Sequence, residues 1–256
     1  MSDRHVLLRL FKTICLVFIL GMSMNAYATS PFTWKEEVLL HDGSILVVER
    51  FYNLGGRPTL DSRERVALDE TVTFSLPATG KQITWKTDFR DSVPEPNSLN
   101  LLLLDVVQGV SYIATYPAGC IAYNKWGRPN PPYVFFKYDG NDWKRITLEE
   151  FPAELNTTNV IVGRPPAKLL KPFYTVTEVE KQNYDIHAKE YKTILREAVK
   201  PGSVGVSCPE LFPDGKGGWL GAGWFKHPTQ EACLKFCARK GIAAEFCKCK
   251  ISKEGE

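Results

Sequence analysis

The sequence predicts an α+β protein. It has an N-terminal, mainly antiparallel β domain of sandwich or barrel type, one amphipathic helix, and a small disulfide-rich C-terminal helix–strand module. Three observations carry this. From residue 34 to about 147, apolar and polar residues alternate with period two between turn signals. Between residues 177 and 200 the apolar spacing becomes helical. The last fifty residues hold Cys233-x-x-x-Cys237 and Cys247-x-Cys249.

Residues 1–28 read as a signal peptide. Arg4, Arg9 and Lys12 form a basic region, Ile14 to Met22 an apolar core, and Ala26-Tyr27-Ala28 offers the small residues at which cleavage after Ala28 is expected. The apolar run is short for a membrane span, with a retained N-terminal anchor as the alternative to cleavage, and no second apolar run follows it. Cys15 sits in no lipobox, so no lipid anchor is expected. We divide the remainder into a β domain (29–165), a linker with the helix (166–205) and a cysteine-rich module (206–256). Removing the leader lowers the formal charge of +3 to nearly zero, which excludes the basic footprint of a nucleic-acid binder.

The β elements follow in order. Trp34–Leu40 and Ile45–Tyr52 flank Asp42-Gly43, a type I′ hairpin signal. Thr71–Leu76 alternates and returns through Ile83 and Trp85 after Pro77-Ala78-Thr79-Gly80. Leu99–Val107 is nearly all apolar, as in a central strand covered on both faces or a short helix; the Gln108-Gly109 break and the β-rich Val110–Tyr116 favour the strand. Cys120 to Pro132, with three prolines, reads as a stiff surface loop. Tyr133–Tyr138 and Trp143–Leu148 make another hairpin, and the proline-rich 152–172 stretch a linker or irregular crossing.

Thr177 with Glu180 reads as a capping box. Tyr184, Ala188, Tyr191, Leu195 and Ala198 then continue at helical spacing until Pro201-Gly202. In the last module Thr229 is the expected N-cap of a helix ending at Gly241.

Neither close cysteine pair closes easily on itself. Helical i,i+4 Cβ atoms lie about 5–6 Å apart, whereas a disulfide needs about 3.5–4.5 Å. The spacing along four helical residues, about 6 Å, instead matches that between alternate strand residues. A two-rung ladder from helix to strand follows, either Cys233–Cys249 with Cys237–Cys247 or the parallel pairing. Cys120 and Cys208 remain to pair and would staple the module to the body. Six cysteines after an export signal favour disulfides over a zinc site, although C-x-x-x-C falls within ligand spacing.

No catalytic motif is present: no G-x-S-x-G, no H-E-x-x-H, no phosphate-cradling glycine loop. His41, His187 and His227 are scattered, and the acidic pairs Glu36-Glu37 and Glu149-Glu150 read as solvated. We therefore expect no catalytic residue, no metal and no cofactor. The candidate binding residues are Trp126 and Arg128 in the proline-rich loop, and Trp219, Trp224 and Phe225 beside glycines. The bland reading of the last three is a cover for the disulfides of a module too small for its own core.

Thr229-x-x-x-Cys233-x-x-x-Cys237-x-x-x-Gly241 followed by Cys247-x-Cys249 resembles the helix-to-strand core of WSC/PAN-type cysteine modules, which implies extracellular carbohydrate or protein binding. Asn124-Lys125-Trp126-Gly127 with the run from Pro131 to Gly140 resembles a stretch found in exported proteobacterial proteins of unknown function, which implies a Gram-negative envelope protein. The expected function is that of a non-catalytic periplasmic or secreted binding protein with a protein or glycan partner. The alternatives are a hydrolase of an envelope polymer and an inhibitor of another protein.

Overall fold

The computed structural model describes residues 32–55, 66–88, 99–200, 202–203 and 206–251. The leader and its cleavage site lie outside the described residues. The chain is mainly β with short helices and antiparallel sheets, as the α+β class predicts.

Strands β1 (Phe32–Leu39), β2 (Ile45–Gly55), β3 (Val66–Ser75) and β4 (Gln82–Asp88) form an antiparallel meander. A short β9 (Phe173–Tyr174) joins β1 in parallel. Strands β5 (Leu99–Val107), β6 (Val110–Pro117), β7 (Val134–Tyr138) and β8 (Trp143–Ile146) form a second meander. Side chains of both sheets meet in one core: Val48, Val72, Phe74 and Ile83 from the first, Leu101, Leu104, Ile113 and Val134 from the second. That is a sandwich rather than a closed barrel.

The apolar run of β5 is buried on both faces, but β5 is an edge strand, not a central one. A register shift between Leu101 and Leu103 turns Leu102 and Leu103 toward a second core with Ala114, Phe135, Phe151, Leu155 and Ile194. The crossing segment 151–163 covers that edge. Asn159 acts there as a surrogate strand: its Oδ1 accepts from Leu104 N (3.1 Å) and its Nδ2 donates to Leu104 O (2.9 Å) and Leu39 O (3.0 Å). One amide thereby bridges the two sheets.

Two turns differ from expectation. The loop at residues 40–44 is longer than a type I′ turn. Only Gly43 there has positive φ (84°), and Asp42 Oδ1 accepts from Ser44 N at 2.9 Å. The type I′ pattern falls instead on Gln108-Gly109 (φ 51° and 80°), directly between β5 and β6.

Helix α1 (Cys120–Lys125) begins the stretch read as an extended loop. Helix α2 (Val176–Gln182) is much shorter than the amphipathic helix expected, and its capping box is Thr175 with Glu178, not Thr177 with Glu180. Asn183 ends it: Oδ1 accepts from Val162 N at 3.0 Å and Nδ2 donates to Val160 O at 2.7 Å, clamping the crossing segment. Tyr191, Ile194 and Leu195 keep their apolar spacing because they pack on the second sheet from turns and extended backbone.

Glu36, Arg50 and Glu70, on adjacent strands β1, β2 and β3, are fully buried. Arg50 Nη1 donates to Glu36 Oε1 at 2.9 Å, and Nε donates to Glu70 Oε1 at 2.6 Å. The guanidinium lies 5.0 Å from the Trp34 ring centroid, and Trp34 stacks on Tyr52. Glu36 is therefore not the solvated carboxylate its place beside Glu37 suggested. Glu149 and Glu150 are exposed as read.

The C-terminal module has its own small core of Phe225, Cys233, Phe236, Cys237 and Ile242. A hairpin of β10 (Leu211–Pro213) and β11 (Trp219–Gly221) leads to α3 (Gln230–Lys240), with Thr229 as N-cap and Gly241 left-handed at φ 63°. The ladder takes the antiparallel pairing: Cys233–Cys249 and Cys237–Cys247, with Cα separations of 5.8 and 6.0 Å. Cys120–Cys208 staples the module to α1. The ladder's second pair, Cys247 and Cys249, lies not within a strand but in irregular chain between a short 3-10 turn (Ala244–Phe246) and a two-residue strand, β12 (Lys250–Ile251).

The packing sets three expected outcomes. Arg50→Ala leaves two buried carboxylates without their cation and costs about 3–5 kcal/mol in denaturant melts. Burial pushes the Glu70 carboxyl above its ordinary 4.5 despite Arg50 beside it. The wild type therefore loses stability relative to Glu70→Gln as pH rises from 4.5 through that raised value, and a flat difference between the two across pH 4–8 would contradict this. Separately, removing the Cys120–Cys208 bridge by paired Ser substitution costs about 2–4 kcal/mol, read by the same melts.

Candidate functional site

A concavity lies beside the end of β1. It measures about 630 Å³, within the range of small-molecule sites. Its walls come from the end of β1 and the loop after it (Glu37, Leu40, His41), β5 (Leu103, Asp105), the crossing segment (Glu154, Asn159) and α2 with the chain beyond it (Val179, Glu180, Lys192). The cavity lies where the crossing segment and α2 pass the end of β1, beyond its pairing with β9.

His41 is the ordered polar group on its wall. Nδ1 lies 2.7 Å from Asp105 Oδ1, and the His41 backbone N–H donates to Asp105 Oδ2 at 2.9 Å. Asp105 is buried and also accepts from Val106 N at 2.7 Å. Asp105 thus takes three N–H groups, two of them from His41. It fixes the ring with Nδ1–H toward itself and Nε2 on the far side. Nε2 makes no hydrogen bond among the described residues. The hydrogen bond to Asp105, aided by the charges of Asp105, Asp42 and Glu154 and opposed by desolvation, holds the imidazole above its ordinary 6.5.

None of the five sequence-predicted binding residues lines this cavity. Trp126 is half-buried, edge-on to Phe136, with Arg145 over its face. Arg128 is a clamp: Nη1 donates to Asn124 Oδ1 and Pro209 O, and Nη2 to Cys208 O, each at 2.9 Å. Its guanidinium grips the start of the C-terminal module. Trp219 is half-buried in β11, and Phe225 is wholly buried in the module core. Phe225 so placed presents no ring to a ligand. Trp224 is exposed, packed against Phe236 with Lys240 over its face.

The four clustered cysteine sulfurs lie within 4.8 Å of one another, but as two disulfides they offer no thiolate to a metal. Of the described histidines, His41 lines the cavity, whereas His227 packs against Phe236 and His187 is exposed. One signal pointed to His41. Asp105 interrupts the apolar run of β5, and a buried carboxylate there needs a partner brought from elsewhere.

NMR titration of the His41 ring is expected to place its midpoint above 6.5. Asp105→Asn removes the charge, returns the midpoint toward 6.5 and costs about 1–3 kcal/mol, because the amide cannot accept all three N–H groups. The pair's stabilisation is full below pH 6.5 and lost as pH rises through the raised midpoint. An unchanged midpoint in Asp105→Asn would dissociate the two residues.

Comparison with protein-family models, curated proteins and solved structures found no match to this chain.

Proposed function

We propose that this is an exported, non-catalytic binding protein of the cell envelope whose ligand occupies the cavity beside His41. The observation that carries the reading is that cavity, with one imidazole oriented by a buried carboxylate on its wall. Three disulfides support an oxidising compartment outside the cytosol. No helix among the described residues is long and apolar enough to cross a membrane. The leader-like N-terminus and the envelope-protein resemblance of the 124–140 stretch support the periplasm or the exterior as the place of action.

A second reading, hydrolysis of an envelope polymer, is favoured by the same His–Asp pair. Such a pair can take a proton from water or from a substrate hydroxyl. Among the described residues no Ser hydroxyl or Cys thiol lines the cavity, and its Thr157 and Thr158 hydroxyls donate to Asn156 Oδ1 and Tyr191 O.

Purified protein is expected to turn over p-nitrophenyl acetate and peptidoglycan no faster than its His41→Ala variant. Its periplasmic form should begin at Thr29 with no alkylatable thiol before reduction. Turnover that vanishes in His41→Ala would replace the binding reading by the hydrolase.

A further inference from the structure

We propose that the cavity beside His41 takes a protonated amine carried on an apolar body. This rests on the cavity being a ligand site and adds the chemistry of the ligand. Most polar groups on the wall are already committed. The Asn159 amide is spent on Leu39 and Leu104, the Asn183 amide on Val160 and Val162, and the Thr158 hydroxyl on Tyr191 O. Glu37 accepts from Val176 N.

The ionisable groups left over are mainly acceptors. Neutral His41, with Nδ1–H turned to Asp105, presents a lone pair at Nε2. Glu154 and Glu180 are exposed carboxylates with no hydrogen bond among the described residues. Against them stands the Lys192 ammonium, whose Nζ reaches Tyr184 O at 3.5 Å. A ligand that donates and carries positive charge satisfies this wall, whereas an anion meets repulsion. Leu39, Leu103, Leu155, Val179 and Tyr191 supply apolar surface for its body.

The tautomer argument sets a pH signature. The charges facing His41 are Asp105 from β5, Asp42 from its own loop and Glu154 from the crossing segment. They favour protonation, and a protonated Nε2 donates instead of accepting. Amine binding therefore strengthens as pH rises through the His41 midpoint, while an alkylamine, with a pKa near that of lysine at about 10.4, keeps its charge.

Calorimetry of the disulfide-bonded protein with hexylamine, hexanol and hexanoate at pH 6 and pH 8.5 tests this. At pH 8.5 hexylamine is expected to bind at least about tenfold more tightly than hexanoate or hexanol, a difference of about 1.4 kcal/mol. It should also bind more tightly than at pH 6. The double variant E154Q/E180Q changes two exposed side chains without hydrogen bonds, so it should keep its melting temperature and lose most of the preference. Equal binding of the three probes, a preference for hexanoate, or an amine preference intact in the double variant would overturn the charge assignment while leaving the cavity a ligand site. If none of the three binds, the ligand-site reading itself falls.

Discussion

The buried Glu36–Arg50–Glu70 group is the constraint on which the first sheet and much of its cover depend. Three charged groups without solvent cost more than apolar residues would, unless each finds nearly ideal partners. Here the partners come from outside the sheet as well as within it. Arg50 Nη1 donates to Ile161 O at 3.1 Å, Trp34 Nε1 donates to Glu36 Oε2 at 2.8 Å, and Ile161 N reaches the same oxygen at 3.4 Å. The irregular crossing segment thus docks by satisfying buried charge, which admits one position where an apolar contact would tolerate several.

That docking propagates. With Ile161 fixed over β1 and β2, Asn159 two residues earlier reaches both Leu39 and Leu104, and the edges of the two sheets are tied by one amide. Asn183 holds the same segment from the side of α2. Between these clamps the crossing cannot collapse onto the end of β1, so a cavity persists beside His41. The opening is a consequence of polar bonds that are already satisfied, and loss of a clamp would be felt there first.

Much of this was legible in the sequence where one face of an element is buried. The alternation of Thr71–Leu76, the two-faced burial of Leu99–Leu104, the Thr229 and Gly241 caps and the cysteine ladder all follow from local rules. Its polarity required the structure. What failed were patterns with two physical causes. Tyr191 and Leu195 have helical spacing, yet they are spaced by packing against the second sheet. Glu36 and Glu37 are neighbours, yet opposite faces of β1 make one a buried ion-pair partner and the other a partner of the α2 N-terminus. Arg128, read as a recognition residue because it is polar in a proline-rich loop, spends its guanidinium on the backbone at Cys208 and Pro209.

The His41–Asp105 pair was missed for a related reason. His41 and Asp105 are separated by 64 residues, and neither belongs to a motif. Asp105 carried the information, because a carboxylate closing the run Leu101-Leu102-Leu103-Leu104 sits where desolvation is severe. A structural cap for the 40–44 loop would need only the bond from the His41 backbone N–H. The second bond, to Nδ1, stabilises an orientation of the ring, and ring orientation matters where Nε2 meets something. In this fold His41 lines the cavity, so the same pair that anchors a loop also orients a ring on the cavity wall.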